Sequence, residues 1–153
     1  IMKNISDFIH KLEKHETKDV IDNHINGSLT VIWRDYDKII ADYPKMIYVS
    51  SVNPGELKGP HLHTKRNSHF ICIHGKVIFI IKNSDGEYLE VEADSEEPVL
   101  ISVPKNYASA HINITDQTAR ILALADISWK PDDTEMKNVQ FTDYDWQKWK
   151  TDS

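Results

Sequence analysis

The sequence predicts an all-β domain, a sandwich or closed barrel of short strands, preceded by one short helix. Three observations carry this expectation. Short apolar and β-branched runs recur from about residue 18 onward. Clusters of Gly, Pro, Asn and Asp punctuate them at turn-like intervals. Between the runs no segment shows the 3.6-residue periodicity of a crossover helix, which argues against a parallel βαβ sheet.

The elements follow in order. Ile5, Phe8, Ile9 and Leu12 fall at i, i+3, i+4 and i+7, with Ser6 available as an N-cap, so a helix is expected over 6–14. Asn26-Gly27 is a strong hairpin signal, because both central residues of a type I′ turn need positive φ. It is expected to join strands near 19–24 and 28–34. Tyr43-Pro44 opens a strand over 45–52, which stops at Asn53-Pro54-Gly55. Strands over 68–74 and 76–82 pivot on Gly75, and Asn83-Ser84-Asp85-Gly86 turns the chain into 88–93. Strands over 99–103, 110–114 and 119–129 complete the set. The tail from Pro131 carries Trp146 and Trp149 and is expected to wrap back over the barrel. The whole reads as one domain over 1–153, with the helix at 6–14, the barrel at 18–130 and the tail at 131–153.

Composition narrows the function. An apolar fraction of 40% and a charged fraction of 27% belong to an ordinary globular chain of 153 residues. The formal charge of −6 disfavours a nucleic-acid partner. The longest apolar run, Val77 to Ile81, is too short to span a membrane, and no signal peptide is read at the start, so a cytoplasmic location is expected. Cys72 is the only cysteine, which fits a reducing compartment and a small buried hydrophobe.

Chemistry concentrates in the histidines. His61 and His63 stand two apart, so on an extended strand both imidazoles share a face. That spacing suits a metal chelate, or a base beside an orienting group. His111 lies on a later apolar stretch and is expected to converge with them. His10, His15 and His24 read as solvated surface residues, His74 as structural, and His69 as facing away from Ser68. A site of His61, His63 and His111 would suit a divalent metal with one open position. Ser68 supplies no anionic ligand, however, and Lys58, Lys65 and Arg66 add positive charge nearby. The preferred reading is therefore a metal-free histidine base without a cofactor. A metal-dependent protein, either a dioxygenase or a zinc-bearing accessory domain, is the alternative.

The order Gly55, His61-x-His63, Ser68, Gly75 resembles the first motif of the cupins, with Ser68 where metal-binding members carry Glu. Val103-Pro104 with His111 resembles a loosened second motif. Over roughly 18–145 the chain further resembles the dTDP-4-dehydrorhamnose 3,5-epimerase family and related nucleotide-sugar isomerases. Asn26-Gly27-Ser28-Leu29-Thr30 is similar to its Arg-Gly-Ser-Phe-Thr hairpin, and Lys58-Gly59-Pro60-His61 to its Arg-Gly-Leu-His segment. His69 to Val77 resembles the strand before its Gly-Glu-Val turn. Trp129-Lys130-Pro131 with Asp132, Asp133 and Glu135 resembles its Tyr-x-Pro stretch and the acidic residues beyond.

The resemblance implies a double-stranded β-helix (cupin jelly roll), a homodimer, no metal, and a nucleotide-diphosphate sugar as substrate in polysaccharide biosynthesis. It implies that His61 removes a proton beside a ketone, with Lys58 or His63 stabilising the enolate. Lys58, Lys65, Arg66, Ser68 and Tyr107 are the expected substrate-binding residues. Three departures stand out. The family's tyrosine acid aligns with Ala123, leaving Tyr107 or Tyr48 as substitutes in space. Asn26 and Val31 replace its nucleotide-contacting pair. The carboxylate that supports its histidine comes from a later stretch, for which Asp126 is the stand-in. Loss of the acid argues against a double epimerase. It leaves a single epimerisation, a 3,4-ketoisomerisation, or sugar binding without catalysis.

Overall fold

The computed structural model describes residues 7–41 and 43–150. Its strands are β1 (Ile9–Lys11), β2 (Glu13–Lys18), β3 (Ile25–Val31), β4 (Met46–Val52), β5 (Leu57–His63), β6 (Ser68–His74), β7 (Lys76–Lys82), β8 (Tyr88–Asp94), β9 (Val99–Val103), β10 (Ala108–Ile112), β11 (Ala119–Ala125) and β12 (Met136–Asn138). A single 3₁₀ turn, Trp146–Trp149, follows. Two five-stranded antiparallel sheets, ordered β1-β9-β6-β11-β4 and β12-β5-β10-β7-β8, form the cupin jelly roll, and β2-β3 make a separate hairpin.

The principal core lies between the sheets and includes Phe8, Val52, Phe79, Ile81, Val91, Ile101 and Ile121. β7 explains the apolar run from Val77 to Ile81. Its Val77, Phe79 and Ile81 enter this core, while Ile78 and Ile80 pack on the outer face beneath Phe141. A strand buried on both faces cannot alternate polar and apolar residues. The outer cluster is closed by the tail, where the Phe141 and Trp146 rings stack at 6.1 Å and Tyr88 meets Phe141 edge-on at 5.0 Å.

Two expectations are corrected. No α-helix forms over the described part of 6–14; Ile5 and Ser6 lie outside the described residues. Ile9–Lys11 instead pairs with β9, with Ile9 opposite Ile101, and the Ser102 N–H donates to the Phe8 carbonyl at 2.7 Å. An isolated helix this short has little stability of its own, so edge pairing and full burial of Phe8 outweigh the local periodicity.

The first hairpin is also shifted. Its strands are β2 and β3, and the turn lies at 19–24. There the Asp19 carboxylate accepts the Ile21 N–H at 2.8 Å, and Asn23 adopts φ 67°. Asn26-Gly27 falls inside β3, where Thr17 opposes Gly27 and Lys18 opposes Ile25. Asn26 is thus the extra residue of a bulge rather than a turn residue.

Candidate active site

A cavity of about 300 Å³ opens between the sheets, within the usual size range of ligand sites. Phe70, Val103 and Ile121 give it apolar surface, while Lys58, His61, His63, Ser68, Ser109 and His111 face it with polar groups. β5 supplies the histidines by strand parity. His61 and His63 point inward, and Leu62 between them packs on the outer cluster.

Gly59 shapes this wall. Its φ is +90°, and a Cβ there would meet the Ser109 carbonyl oxygen at 2.9 Å. Only glycine lets β5 approach β10 so closely at this φ. The β5–β10 register shifts at this point, with Ser109 opposite His61 and His111 opposite Lys58.

The tail completes the site from behind. β12 pairs with β5, placing Met136 opposite His63 and Asn138 opposite His61. The His63 Nδ1 lies 2.5 Å from Glu135 Oε2. The other carboxylate oxygen of Glu135 accepts the backbone N–H of Arg66 at 3.0 Å and of Lys65 at 3.3 Å. Burial pushes the Glu135 carboxyl up, but these donors outweigh it and hold the group below its ordinary value. An ionised Glu135 keeps the proton on His63 Nδ1 and leaves Nε2 as the basic nitrogen. His61 Nδ1 has a neutral partner instead, Asn138 Oδ1 at 3.0 Å.

Burial pushes the His63 imidazole below 6.5, with Glu135 opposing and the Arg66 cation assisting. His111 is pushed down to about 4, chiefly by burial and then by Lys58 and His61. Its ring meets Phe79 at a 37° tilt with centroids 4.9 Å apart, and its Nε2 has no partner. The buried Ser68 Oγ is likewise unpartnered.

The sequence-predicted residues divide. His61, His63, His111, Lys58 and Ser68 meet in this cavity, where Lys58 Nζ donates to Ser50 Oγ at 2.6 Å. Lys65 is exposed, and Tyr107 packs on Phe8 with ring centroids 5.6 Å apart; neither lines the cavity. Arg66 is only 6% exposed and does not line the cavity. Asp126 does not support His61; it accepts the Asn67 N–H and side-chain amide at 2.8 and 2.7 Å. The supporting residues are Glu135 and Asn138. Glu135 belongs to an acidic stretch visible in the sequence, but its partner depends on a long-range pairing that a three-residue strand does not announce.

The histidines do not fit a preformed metal centre. Among the described residues, the only group of three with ligating atoms all within 4.8 Å of one another is Asp19, Asp22 and His24, on the distant hairpin turn. His61, His63 and His111 are not so gathered, and Ser68 supplies no charge.

Solved structures share the fold. A dTDP sugar isomerase from Desulfovibrio desulfuricans superposes with a TM-score of 0.74 at 15% identity, covering 88% of this chain and 83% of that one. ChmJ, a 3′-monoepimerase from Streptomyces bikiniensis solved with dTDP-quinovose, gives 0.72 at 17% identity, covering 88% and 70%. The capsular polysaccharide assembling protein CapF from Staphylococcus aureus gives 0.60 at 19% identity over 65% of this chain; the match spans only 29% of CapF. No curated protein matches by sequence. The family model FdtA, described as "WxcM-like, C-terminal", matches residues 9–146, nearly the whole length, and the chain therefore belongs to that family.

Proposed function

We propose that the protein is a nucleotide-sugar isomerase that removes a proton from the carbon beside the ketone of a 4-keto-6-deoxyhexose. The observation that carries this reading is the His63–Glu135 pair, set next to His61 on a glycine-shaped strand in the cavity. A carboxylate-fixed imidazole is the standard equipment of a general base at neutral pH. The sequence alone favours His61 in this role; Glu135 moves the preference to His63, with His61 beside it. A C–H next to a carbonyl is acidified because its anion delocalises onto oxygen. Lys58 and the unpartnered His111 Nε2 are the groups available to meet that oxygen. The apolar Phe70, Val103 and Ile121 suit the 6-deoxy face of such a sugar.

The nucleotide diphosphate, a cytoplasmic location and a role in surface-polysaccharide synthesis belong to the same reading. The nucleotide and the polysaccharide role draw on what the ChmJ and CapF structures are reported to bind or assemble, and the location on Cys72 as the only cysteine. A homodimer is also part of it. The β2-β3 hairpin joins neither sheet, and its Val20 and Ile21 are 97% and 92% exposed, while a lone two-stranded hairpin is marginal in water. Among the described residues, no helix is long and apolar enough to cross a membrane.

The test is solvent exchange. In deuterium oxide, dTDP- or UDP-linked 4-keto-6-deoxyhexoses should gain deuterium at C3 or C5, and His63→Asn should suppress the gain by about 10²–10⁴-fold. Binding without exchange for every such substrate would instead mark a sugar-binding protein.

A further inference from the structure

The tail that supplies Glu135 and Asn138 crosses the outer face of its sheet from edge to edge. β12 lies at one edge, against β5, and β8 forms the other. Beyond Asn138, Phe141 is 3% exposed and packs with Ile78 and Ile80 of β7 and Ala108 and Ala110 of β10, the strands between. At the far edge Glu90 of β8 accepts the Tyr144 hydroxyl at 3.1 Å and Lys148 Nζ at 2.6 Å, and the Tyr88 hydroxyl donates to Asp143. The tail is also tied to itself. Trp146 Nε1 donates to the Phe141 carbonyl at 3.3 Å, and Trp149 Nε1 to the Tyr144 hydroxyl at 2.6 Å.

β12 depends on this anchor. It has three residues, all exposed, and it pairs with β5 on one side only. A segment with so little buried apolar surface opens readily by itself. It nevertheless follows directly on Glu135, whose carboxylate is held out of water against His63. Burying a carboxylate is costly, so the segment that carries it must be held from elsewhere. The hold begins just after β12, where the Val139 N–H donates to the Pro60 carbonyl at 3.2 Å, and two residues later Phe141 is buried. Leu62, the residue between His61 and His63, packs on the same outer cluster from β5. The anchor thus grips both the strand that bears the imidazoles and the segment that bears their acceptors.

We propose that Phe141 is a positioning residue for the base: buried on the outer face of the sheet, it seats β12 on β5 and so keeps the proton of His63 on Nδ1, facing Glu135. Phe141 does not line the cavity and acts only through the tail. Its effect on rate rests on the isomerase reading above. Its effect on the imidazole does not, because the tautomer follows from the Glu135 contact whether or not a substrate is turned over. A displacement of about 1 Å that originates far from the reacting atoms can cost about 10²-fold in rate.

The experiment compares full-length wild type, Phe141→Ala, Phe141→Leu, Glu135→Gln and the Glu135→Gln/Phe141→Ala double variant. Imidazole tautomers are read by ¹H–¹⁵N NMR, and kcat and KM from deuterium uptake into dTDP- and UDP-linked 4-keto-6-deoxyhexoses. In wild type His63 should be the Nδ1–H tautomer; in Phe141→Ala it should average between the two. Uptake by Phe141→Ala should fall about 10²-fold in kcat with KM little changed, and Phe141→Leu, which refills the space, should restore most of both signals. In the double variant Phe141→Ala should cost almost nothing beyond Glu135→Gln, because its effect is delivered through Glu135. Should Phe141→Ala fail to fold, Trp146→Ala, which removes only the ring stacked on Phe141, carries the same measurements. A wild-type tautomer in Phe141→Ala overturns the proposal, and so does a full additive loss in the double variant, which marks general damage. Wild type that takes up no deuterium from any of these sugars overturns the isomerase reading alone, and the tautomers then decide the role of Phe141 by themselves.

Discussion

Two histidine-lined cavities flank β6, and they use the same residue type to opposite ends. Ser68 and Phe70 line the cavity described above; His69, between them in sequence, lines a second of about 240 Å³ together with Ser102 and Asp126. In the first cavity His61 and His63 each hold a separate acceptor through Nδ1, while His111 Nε2 and Ser68 Oγ have no partner. In the second, one Ser102 hydroxyl serves both His10 Nε2 at 3.0 Å and His69 Nδ1 at 2.8 Å, and Asp126 is occupied by Asn67. A buried polar atom left unpaired costs about 1–3 kcal/mol. The first cavity therefore keeps polar atoms in reserve for a ligand, and the second has spent its own on stability. Histidine count does not separate the two; hydrogen-bond accounting does.

The sharpest way to break that distinction is Glu135→Gln. The substitution keeps the shape but removes the charge that fixes the His63 tautomer and raises its affinity for a proton. Substrate deuterium uptake should fall by about 10²–10⁴-fold. The acid limb of its pH profile should move to lower pH, because Glu135 is the group that opposes burial at His63. An unchanged uptake rate would remove His63 from the chemistry and return the role to His61.

Acid stability tests the cavities from the other side. His69 and His111 are both pushed down to about 4, chiefly by burial. His69 also faces His10, which lowers it further, and Asp126, which opposes; His111 faces Lys58 and His61. In the unfolded chain both imidazoles take up protons near 6.5. The unfolded state thus binds protons first, so this stability is complete above about pH 6.5 and drains away as pH falls toward 4. Each group contributes on the order of 3 kcal/mol across that window. Urea unfolding at pH 7 and pH 4.5 should show the loss, and His69→Asn should flatten it. Equal pH dependence in wild type and variant would mean that His69 carries none of it.

What was legible in the sequence follows from the range of the interactions. β6, β7 and β9 have the expected bounds because buried runs between turn residues signal themselves locally. His61 and His63 share a face because strand parity requires it. The N-terminal segment is misread as a helix because its pairing with β9 lies some 90 residues away, and no local pattern reports it. Asn26-Gly27 is misread for a related reason: Asp19 captures the turn first through its own side chain, and leaves Asn26 to a bulge. Glu135 was hidden by topology. It stands in plain view in the sequence, but its role arises from β12 lying on β5.

The smallest effect probes the second cavity alone. Ser102→Ala removes a hydroxyl that is 2% exposed and bridges two imidazoles. His69 is buried and loses its only Nδ1 partner, while His10 is half-buried and can turn to water, so the cost should sit near 1–3 kcal/mol rather than twice that. For a chain of this length that is a fall of roughly 2–12 °C in Tm, visible by calorimetry. The damage should be local. His10 ties β1 to β9, so the amides of Ile9–Lys11 should exchange faster while those of β7 do not. Substrate uptake of deuterium should stay at the wild-type rate. Only Val103 is common to the linings of both cavities, so a fall in uptake together with Tm would mean that strain passes through Val103 and that the two cavities are not independent.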